Sequence, residues 1–186
     1  MRVIAGKAKG RNLTAPKGLR TRPVPAMVKE ALYNIWQSRI DGSRFLDLFA
    51  GSGSMGIEAL SRGAEHVVFV DQDRKAVQAI RSNLDLCRFT EGWEVFQDDV
   101  FRRITRLKEQ GQQFDIIYAD PPFTVEAIFL PLIEALSDAS LLAEDGQLVV
   151  RTKKEMQMPD AIQRLERSRA KTYGISNVHF YSRSEQ

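Results

Sequence analysis

Apolar residues recur along this chain with two alternating periods, one typical of amphipathic helices and one typical of buried strands. Helical spacing predicts a first helix over about residues 25–39. From residue 44 onward, short runs rich in β-branched and aromatic residues alternate with helix-length segments. These runs predict strands at residues 45–49, 67–70, 93–96, 114–119 and 148–151. The intervening segments predict helices that end near residue 62 and span residues 74–86, 100–110 and 125–136.

The two ends of the chain depart from this alternation. A helix is predicted near residues 160–167, and the alternating stretches 171–173 and 178–181 predict a C-terminal hairpin. Residues 1–24 are rich in glycine and proline, which predicts a short hairpin or extended arm. Because strands that alternate with helices form right-handed βαβ units, we expect an α/β domain over residues 25–186 with a mostly parallel sheet.

Length and composition limit the classes of protein. The chain has 186 residues, of which 43% are apolar, so we expect one domain with one core. We also expect a monomer. No apolar segment follows the basic N-terminus and no run is long enough to span a membrane, so we expect a soluble cytoplasmic protein without membrane contact. The single cysteine, Cys87, excludes an internal disulfide, and with only two histidines we expect no metal centre.

Charge is unevenly distributed along the chain. Residues 1–40 carry a net charge of +8, residues 41–150 carry −9, and residues 151–186 carry +4. A basic segment with almost no acids suits a phosphate backbone, although a merely solvated tail is the alternative. The predicted nucleic-acid-binding residues are Lys7, Lys9, Arg11, Arg20 and Arg22. Lys17 belongs to the same basic run.

Acids and glycines follow several of the predicted strands. In a parallel sheet these positions meet at one edge, where ligands bind. Gly51-Ser52-Gly53-Ser54-Met55-Gly56 fits a pattern in which glycines let the backbone approach a ligand, although a plain tight turn also fits. Asp71, at the next strand end, is placed to accept hydrogen bonds from a ribose, which both NAD and S-adenosylmethionine contain.

Asp47 favours S-adenosylmethionine over a dinucleotide. A carboxylate buried in a strand needs a partner, and the ammonium of a methionine moiety is suitable, whereas a pyrophosphate would be repelled. The alternative is that Asp47 bonds neighbouring backbone amides. Asp99 could accept from an adenine amino group or cap the following helix, and the two roles are compatible. The candidate cofactor-binding residues are Asp47, Phe49, Gly51, Ser52, Gly53, Asp71, Asp99 and Asp120.

Asp120-Pro121-Pro122-Phe123 closes the fourth predicted strand and is the candidate catalytic motif. Two prolines remove two amide donors, so a carboxylate stands beside free carbonyl acceptors. We expect this donor-free pocket to bind an –NH₂ group through Asp120 and the Pro121 carbonyl, with Phe123 stacked on an unpaired base. A strand-ending turn with a core phenylalanine is the structural alternative. The candidate catalytic residues are Asp120, Pro121 and Phe123.

These residues resemble the amino-methyltransferases of nucleic acids, whose catalytic tetrapeptide is Asp/Asn/Ser-Pro-Pro-Tyr/Phe. Over nearly the whole chain the sequence is similar to the RsmD family of bacterial small-subunit ribosomal RNA guanine-N2 methyltransferases. The resembling segments are Arg2-Val3-Ile4-Ala5-Gly6, Gly10-Arg11, residues 19–23, Lys29-Glu30-Ala31-Leu32-Tyr33-Asn34-Ile35, Leu46-Asp47-Leu48-Phe49-Ala50-Gly51-Ser52-Gly53, and Gly56 with Glu58-Ala59-Leu60-Ser61-Arg62-Gly63-Ala64.

The resemblance implies a Rossmann-like class I methyltransferase with a seven-stranded, mostly parallel sheet and a C-terminal antiparallel hairpin. It implies S-adenosylmethionine as methyl donor, S-adenosylhomocysteine as product, and binding of ribosomal RNA, free or within a small subunit, by the basic arm of residues 1–24. One segment departs from the family pattern. Where the family usually has two hydroxyl residues, an aspartate and an arginine, this chain has Val24, Pro25, Ala26 and Met27.

Other functions remain open at this point. A DNA adenine-N6 or cytosine-N4 methyltransferase would use the same chemistry, but the chain has little length for a target-recognition segment. A non-catalytic RNA-binding assembly factor could keep the same scaffold. An NAD-dependent dehydrogenase would use the glycine pattern but not Asp47.

Overall fold

A single mixed sheet organises the molecule in the computed structural model, which describes residues 1–18 and 23–185. Helices cover both of its faces. The strands are β1 (Arg44–Leu48), β2 (His66–Asp71), β3 (Trp93–Gln97), β4 (Phe114–Ala119), β5 (Leu142–Lys153), β6 (Ala161–Ile162), β7 (Leu165–Tyr173) and β8 (Ser176–Arg183). The helices are α1 (Ala26–Ile35), α2 (Ser54–Ser61), α3 (Arg74–Leu86), α4 (Val100–Glu109) and α5 (Phe129–Leu136).

The strand order is β3-β2-β1-β4-β5-β8-β7-β6. The five strands from β3 to β5 are parallel, and β8, β7 and β6 extend the sheet antiparallel to their neighbours. The chain moves outward in one direction from β1 to β3 and in the other from β4 to β5. A crevice therefore opens between the carboxyl ends of β1 and β4, the position at which such sheets bind ligands.

Two apolar layers enclose the sheet. One face packs against α1, α2 and α3 through a cluster that includes Trp36, Phe69 and Phe180. The other face packs against α4 and α5 through a cluster that includes Leu46 and Tyr181. The parallel strands are nearly continuous apolar runs because both of their faces are buried.

The expected α/β fold with a parallel sheet and a C-terminal hairpin is confirmed, with eight strands rather than seven. The helix expected near residues 160–167 is wrong, because that segment forms β6 and the start of β7. Ile162 pairs directly with Leu165 across a two-residue turn, and Gln163 adopts a left-handed φ of 49°. An i,i+3 apolar spacing fits both a helix face and the two residues that flank a tight hairpin turn.

The N-terminal residues fold back onto the domain. Arg2 forms an isolated antiparallel bridge with Asn12, and Glu58 of α2 accepts hydrogen bonds from the amides of Ile4 and Ala5 at 2.8 and 3.0 Å. Asn83 of α3 accepts from the amide of Thr14 at 2.9 Å. The start of the chain is therefore held over α2 and α3, towards the β3 end of the sheet.

A buried ionic cluster supports this attachment. Glu58 is fully buried and pairs with Lys29 at 3.1 Å and with Arg62 at 2.8 Å. Burial alone would raise the pKa of Glu58, but the amide of Ile4 and the two cations lower that pKa below its ordinary value. Glu58 is therefore ionised at neutral pH. It connects α2 to the N-terminal segment and to α1.

Across residues 1–18 and 23–185, no helix combines the length and the apolar character that crossing a membrane would require.

We expect Glu58→Gln to lower the free energy of unfolding by about 3–5 kcal/mol, because it leaves the buried Lys29 ammonium without its anion. Urea denaturation at neutral pH would measure the loss. Glu65→Gln, at an exposed position, is the matched control and should leave the midpoint within experimental error. Equal midpoints for the two variants would contradict the prediction.

Candidate active site

Three carboxylates converge on the crevice between β1 and β4. Asp47 lies within β1, Asp71 ends β2, and Asp120 directly follows β4. Asp120 and Asp71 both act electrostatically on Asp47 and disfavour its ionised form. The structure therefore brings these three predicted residues together, and a carboxylate there that has no cation of its own favours a cationic ligand.

The glycine-rich turn lies between β1 and α2. Phe49, Gly51 and Gly53 all adopt left-handed φ values, of 58°, 58° and 78°. A Cβ on Gly51 would meet no atom within 4 Å, so this part of the turn faces open space. A Cβ on Gly56 would lie 2.3 Å from the Phe69 ring, so this glycine instead permits close packing of α2 on β2. The turn is therefore open at Gly51 but packed at Gly53, where a Cβ would lie 3.2 Å from Ile80.

Ser52 has a different environment from the glycines that flank it. Its side chain is buried and faces the N-terminal residue, with its Oγ 3.2 Å from the sulfur of Met1. Its carbonyl accepts a hydrogen bond from the side-chain amide of Asn83 at 2.9 Å. A cofactor contact by Ser52 stays a prediction.

Asp47 is 1% exposed and accepts a hydrogen bond from the amide of Gly56 at 3.0 Å. The amide-bonded alternative foreseen from the sequence thus occurs here. Burial raises the pKa of Asp47 well above its ordinary value, and the nearby Asp120 and Asp71 add to the effect. One backbone donor does not compensate a buried carboxylate, so a cation beside Asp47 would lower its free energy.

Asp71 and Asp99 stand at the next two strand ends. Asp71 accepts from the amides of Gly51 and Asp73, each at 2.9 Å, which fixes its carboxylate at the rim of the glycine-rich turn. Burial raises its pKa, although both amides oppose this. Asp99 is exposed and caps α4 through the amide of Arg102 at 3.0 Å, so its predicted capping role is confirmed, while contact with an adenine stays a prediction.

Asp120 is not in a donor-free pocket, so that expectation is wrong. A single guanidinium nitrogen of Arg151 lies 3.1 and 3.0 Å from its two carboxylate oxygens, and the Tyr118 hydroxyl donates to Oδ2 at 3.0 Å. Burial raises the pKa of Asp120, whereas Arg151 and the Tyr118 hydroxyl oppose the increase. The two prolines do remove backbone donors as expected, but side chains from β4 and β5 supply new ones.

Phe123 shares this arrangement. It is partly buried, and the guanidinium carbon of Arg151 lies 4.9 Å from the centroid of its ring. The Arg151 side chain is 7% exposed and also contacts the Ser176 hydroxyl at 3.4 Å. One arginine therefore contacts both the carboxylate and the aromatic ring of the candidate catalytic motif.

Sequence reasoning missed Tyr118 and Arg151. Tyr118 lies two residues before Asp120 on a strand and so shares its face, which a period-two reading would have found. Arg151 was assigned to the end of a predicted strand, and a charged residue there was a signal equal to that of the aspartates. Its pairing with Asp120 follows from the adjacency of β4 and β5, which the sequence does not state.

The predicted basic residues are only partly visible. Lys7, Lys9 and Arg11 lie within the described N-terminal segment and are exposed. Arg20 and Arg22 lie outside the described residues. Among the residues that the structure does describe, no group of three or more His, Cys, Asp or Glu side chains could hold a metal ion.

The altered segment before α1 has a local consequence. Pro25 occupies the N-cap position of α1 and offers no side-chain hydrogen bond, and Met27 in the first turn is 61% exposed. The polar contacts expected at this helix start are therefore absent from the described chain.

Comparison with known proteins agrees with this geometry. A family model described as conserved hypothetical protein 95 matches residues 1–182. YlbH of Bacillus subtilis (strain 168) is 40% identical over 183 residues, covering 98% of this chain and 99% of its own length. Ribosomal RNA small subunit methyltransferase D of Escherichia coli (strain K12) is 30% identical over 186 residues, covering 100% and 91%. The solved structure of Escherichia coli yhhF superposes with a TM-score of 0.84 at 30% identity, covering 100% and 99%.

The strand order, the glycine-rich turn and the acidic strand ends define a Rossmann-like methyltransferase fold. Within that class, the chain belongs to the conserved hypothetical protein 95 family, which is the RsmD family, and the resemblance drawn from the sequence is confirmed.

We expect Asp47→Asn to stabilise the ligand-free protein at neutral pH and to weaken S-adenosylhomocysteine binding about 10- to 100-fold, the range for loss of a charge-assisted bond. Because burial raises the pKa of Asp47, the folded wild type takes up a proton more readily than the unfolded chain. The stability gap should therefore shrink as pH falls through that raised pKa.

Thermal unfolding at several pH values and calorimetric titration would measure the two effects. Asp85→Asn, at an exposed position on α3, is the control and should change neither. A variant less stable than the wild type at neutral pH, or one that binds with unchanged affinity, would show that Asp47 is not an uncompensated carboxylate facing a cation.

Proposed function

We propose that this protein transfers a methyl group from S-adenosylmethionine to the N2 amino group of a guanine in small-subunit ribosomal RNA. The observation that carries the proposal is the position of Asp120 and its two prolines beside the crevice that Asp47 and the Gly51 turn open. Membership of the RsmD family, and the name of its Escherichia coli relative, support ribosomal RNA as the substrate.

The residues of the crevice fit the methyl donor. Its ammonium and sulfonium match the negative charge of Asp47 and Asp71, and the open space at Gly51 admits a ligand close to the backbone. We assign the ammonium to Asp47, the ribose to Asp71, the adenine to Asp99, and the wall of the site to Phe49, Ser52 and Gly53. When bound, S-adenosylmethionine supplies an electrophilic methyl group and leaves as S-adenosylhomocysteine.

The motif after β4 can bind and orient an amino group. Oδ1 of Asp120 accepts from Arg151 alone among the described residues, so it retains an acceptor position, and no described donor bonds the Pro121 carbonyl. Two N–H bonds, to Asp120 and to this carbonyl, would favour a pyramidal nitrogen with its lone pair directed at the methyl group. With the donor bound, a nitrogen–carbon bond would form as the sulfur–carbon bond breaks, the electron pair would stay on sulfur, and the nitrogen would release one proton to solvent.

Arg151 determines how Asp120 acts in this scheme. Its guanidinium favours the ionised carboxylate, so Asp120 serves as an anionic acceptor that stabilises positive charge developing on the nitrogen. Its second contact, with the face of Phe123, holds that ring beside the carboxylate. We therefore assign Arg151 as a positioning residue that acts through Asp120 and Phe123.

We expect Asp120→Asn to reduce methyl transfer to ribosomal RNA by about 10²–10³-fold, in line with loss of one electrostatic contact to a transition state. Binding of S-adenosylhomocysteine should change far less. Radiolabelled methyl transfer and calorimetry would measure the two effects, with Asp145→Asn, at an exposed position near the start of β5, as control. Full transfer activity in the Asp120 variant would contradict the assigned role.

We expect Arg151→Gln to move the acidic limb of the pH–rate profile towards higher pH. Burial already raises the pKa of Asp120, and removal of the cation that opposes this increase protonates the carboxylate at a higher pH. Arg151→Lys keeps the positive charge, so its acidic limb should lie close to that of the wild type. Identical acidic limbs in wild type and both variants would show that Arg151 has only a structural role.

The substrate is tested by mass spectrometry of nucleosides from ribosomal RNA and from DNA, each taken from cells with and without the gene. Loss of N2-methylguanosine from small-subunit RNA in the deletion strain supports the proposal. An unchanged guanine profile with loss of a methylated adenine or cytosine in DNA would replace it with the DNA alternative. No change in any methylated base would favour a non-catalytic assembly factor.

A further inference from the structure

A second basic surface lies at the opposite end of the sheet from the N-terminal segment. Lys7, Lys9 and Arg11 belong to the segment held over α2 and α3, beside β1 to β3. Strand β7 lies on the other side of the crevice, three positions beyond β4 in the sheet. It reads Leu-Glu-Arg-Ser-Arg-Ala-Lys-Thr-Tyr and is mostly exposed.

The register shows which side chains share the face of Asp120. Arg151 pairs with Val178 and Val178 with Lys171, while Phe180 pairs with Arg169, so Lys171 and Arg169 point to the same sheet face as Arg151. Arg151 in turn contacts Asp120. Lys171 therefore lies level with Arg151 across the sheet, two strands away. The Cα atoms of Lys171 and Arg151 are about 10 Å apart.

The exposed cations of this face are arranged in a line. Arg169 and Lys171 alternate along β7 at a spacing of about 6.6 Å, and both are exposed. Arg169 is held by its contact with the face of Phe180, 4.7 Å from the ring centroid. Lys153, the last residue of β5, extends this line towards the carboxyl ends of the strands, where Asp120 lies. Its ammonium is 3.7 Å from the carboxylate of Glu126. Glu166 also lies on this face, but it is the second residue of β7, at the end of the strand away from Lys171.

We infer that the β7 surface, formed by Arg169, Lys171 and Lys153, binds the RNA phosphate backbone that flanks the target nucleotide. The inference rests on the proposed function and extends it, because the N-terminal segment and the β7 surface would hold the strand on both sides of the crevice. Charge complementarity favours RNA over a protein partner, since this face of β7 presents the exposed cations Arg169 and Lys171 rather than an apolar patch.

The matched variants are Arg169→Gln with Lys171→Gln, and Arg102→Gln with Arg106→Gln on α4, which packs on the opposite face. Both double variants remove two exposed positive charges. The probes are purified small-subunit ribosomal RNA, assembled small subunits and S-adenosylhomocysteine. RNA affinity would be measured by filter binding at several salt concentrations, alongside the kinetics of methyl transfer.

We expect the β7 variant to lower RNA affinity and to reduce the slope of log affinity against log salt by about 1.4, the value for two lost contacts to a single strand. KM for RNA should rise several-fold, with kcat and S-adenosylhomocysteine affinity unchanged. The α4 variant should retain the wild-type slope.

Three outcomes would overturn the inference. Equal losses in the two double variants would show that net charge alone is responsible. Unchanged RNA affinity in the β7 variant, with a wild type that methylates ribosomal RNA, would show that the β7 surface does not bind RNA. The proposed function would then still stand. A defect seen with assembled subunits but not with free RNA would assign the surface to a ribosomal protein. A wild type that neither binds nor methylates ribosomal RNA would instead reject the proposed function itself.

Discussion

Burial of negative charge between β1 and β4 is the constraint on which the rest of this structure depends. Asp47 is enclosed in a strand with a single backbone donor, and two further carboxylates approach it at neighbouring strand ends. Such an arrangement costs folding free energy unless a cation arrives. The extensive apolar packing of the parallel strands on both faces offsets that cost. The sheet thereby maintains a site whose electrostatics are completed by its ligand.

Arg151 separates the chemistry of the two central carboxylates. Asp47 and Asp120 lie on adjacent strands, yet only Asp120 has a guanidinium within hydrogen-bond distance among the described residues. Asp47 therefore still requires an external cation, whereas Asp120 is already paired with Arg151, which also contacts the Phe123 ring. In the proposed function, one carboxylate attracts the charged methyl donor while the other remains available to an uncharged amino group. The same residue type thus takes two roles that its surroundings determine.

The sequence predicted the features that local residue patterns determine. It did not predict the features that depend on contacts between distant parts of the chain. The parallel strands, the glycine turn and the acidic strand ends follow from apolar runs and from the rule that ligands bind at those ends. The segment that contains Ile162 and Leu165 was misread because a helix and a tight hairpin share the same apolar spacing. The role of Arg151 was missed because it depends on which strand lies beside β4, and a residue 31 positions away in the chain carries no local signal for that contact.

The distribution of charge along the chain follows from the same constraint. A cation free to approach Asp47 would compete with a positively charged methyl donor, so basic residues suited to RNA cannot line the crevice itself. Arg151 is tolerated because Asp120 neutralises it. Exposed cations instead lie away from the crevice, over α2 and α3 on one side, on β7 on the other, and on α4. The crevice is built from the acidic middle of the chain, and exposed basic residues from both ends of the chain lie on either side of it.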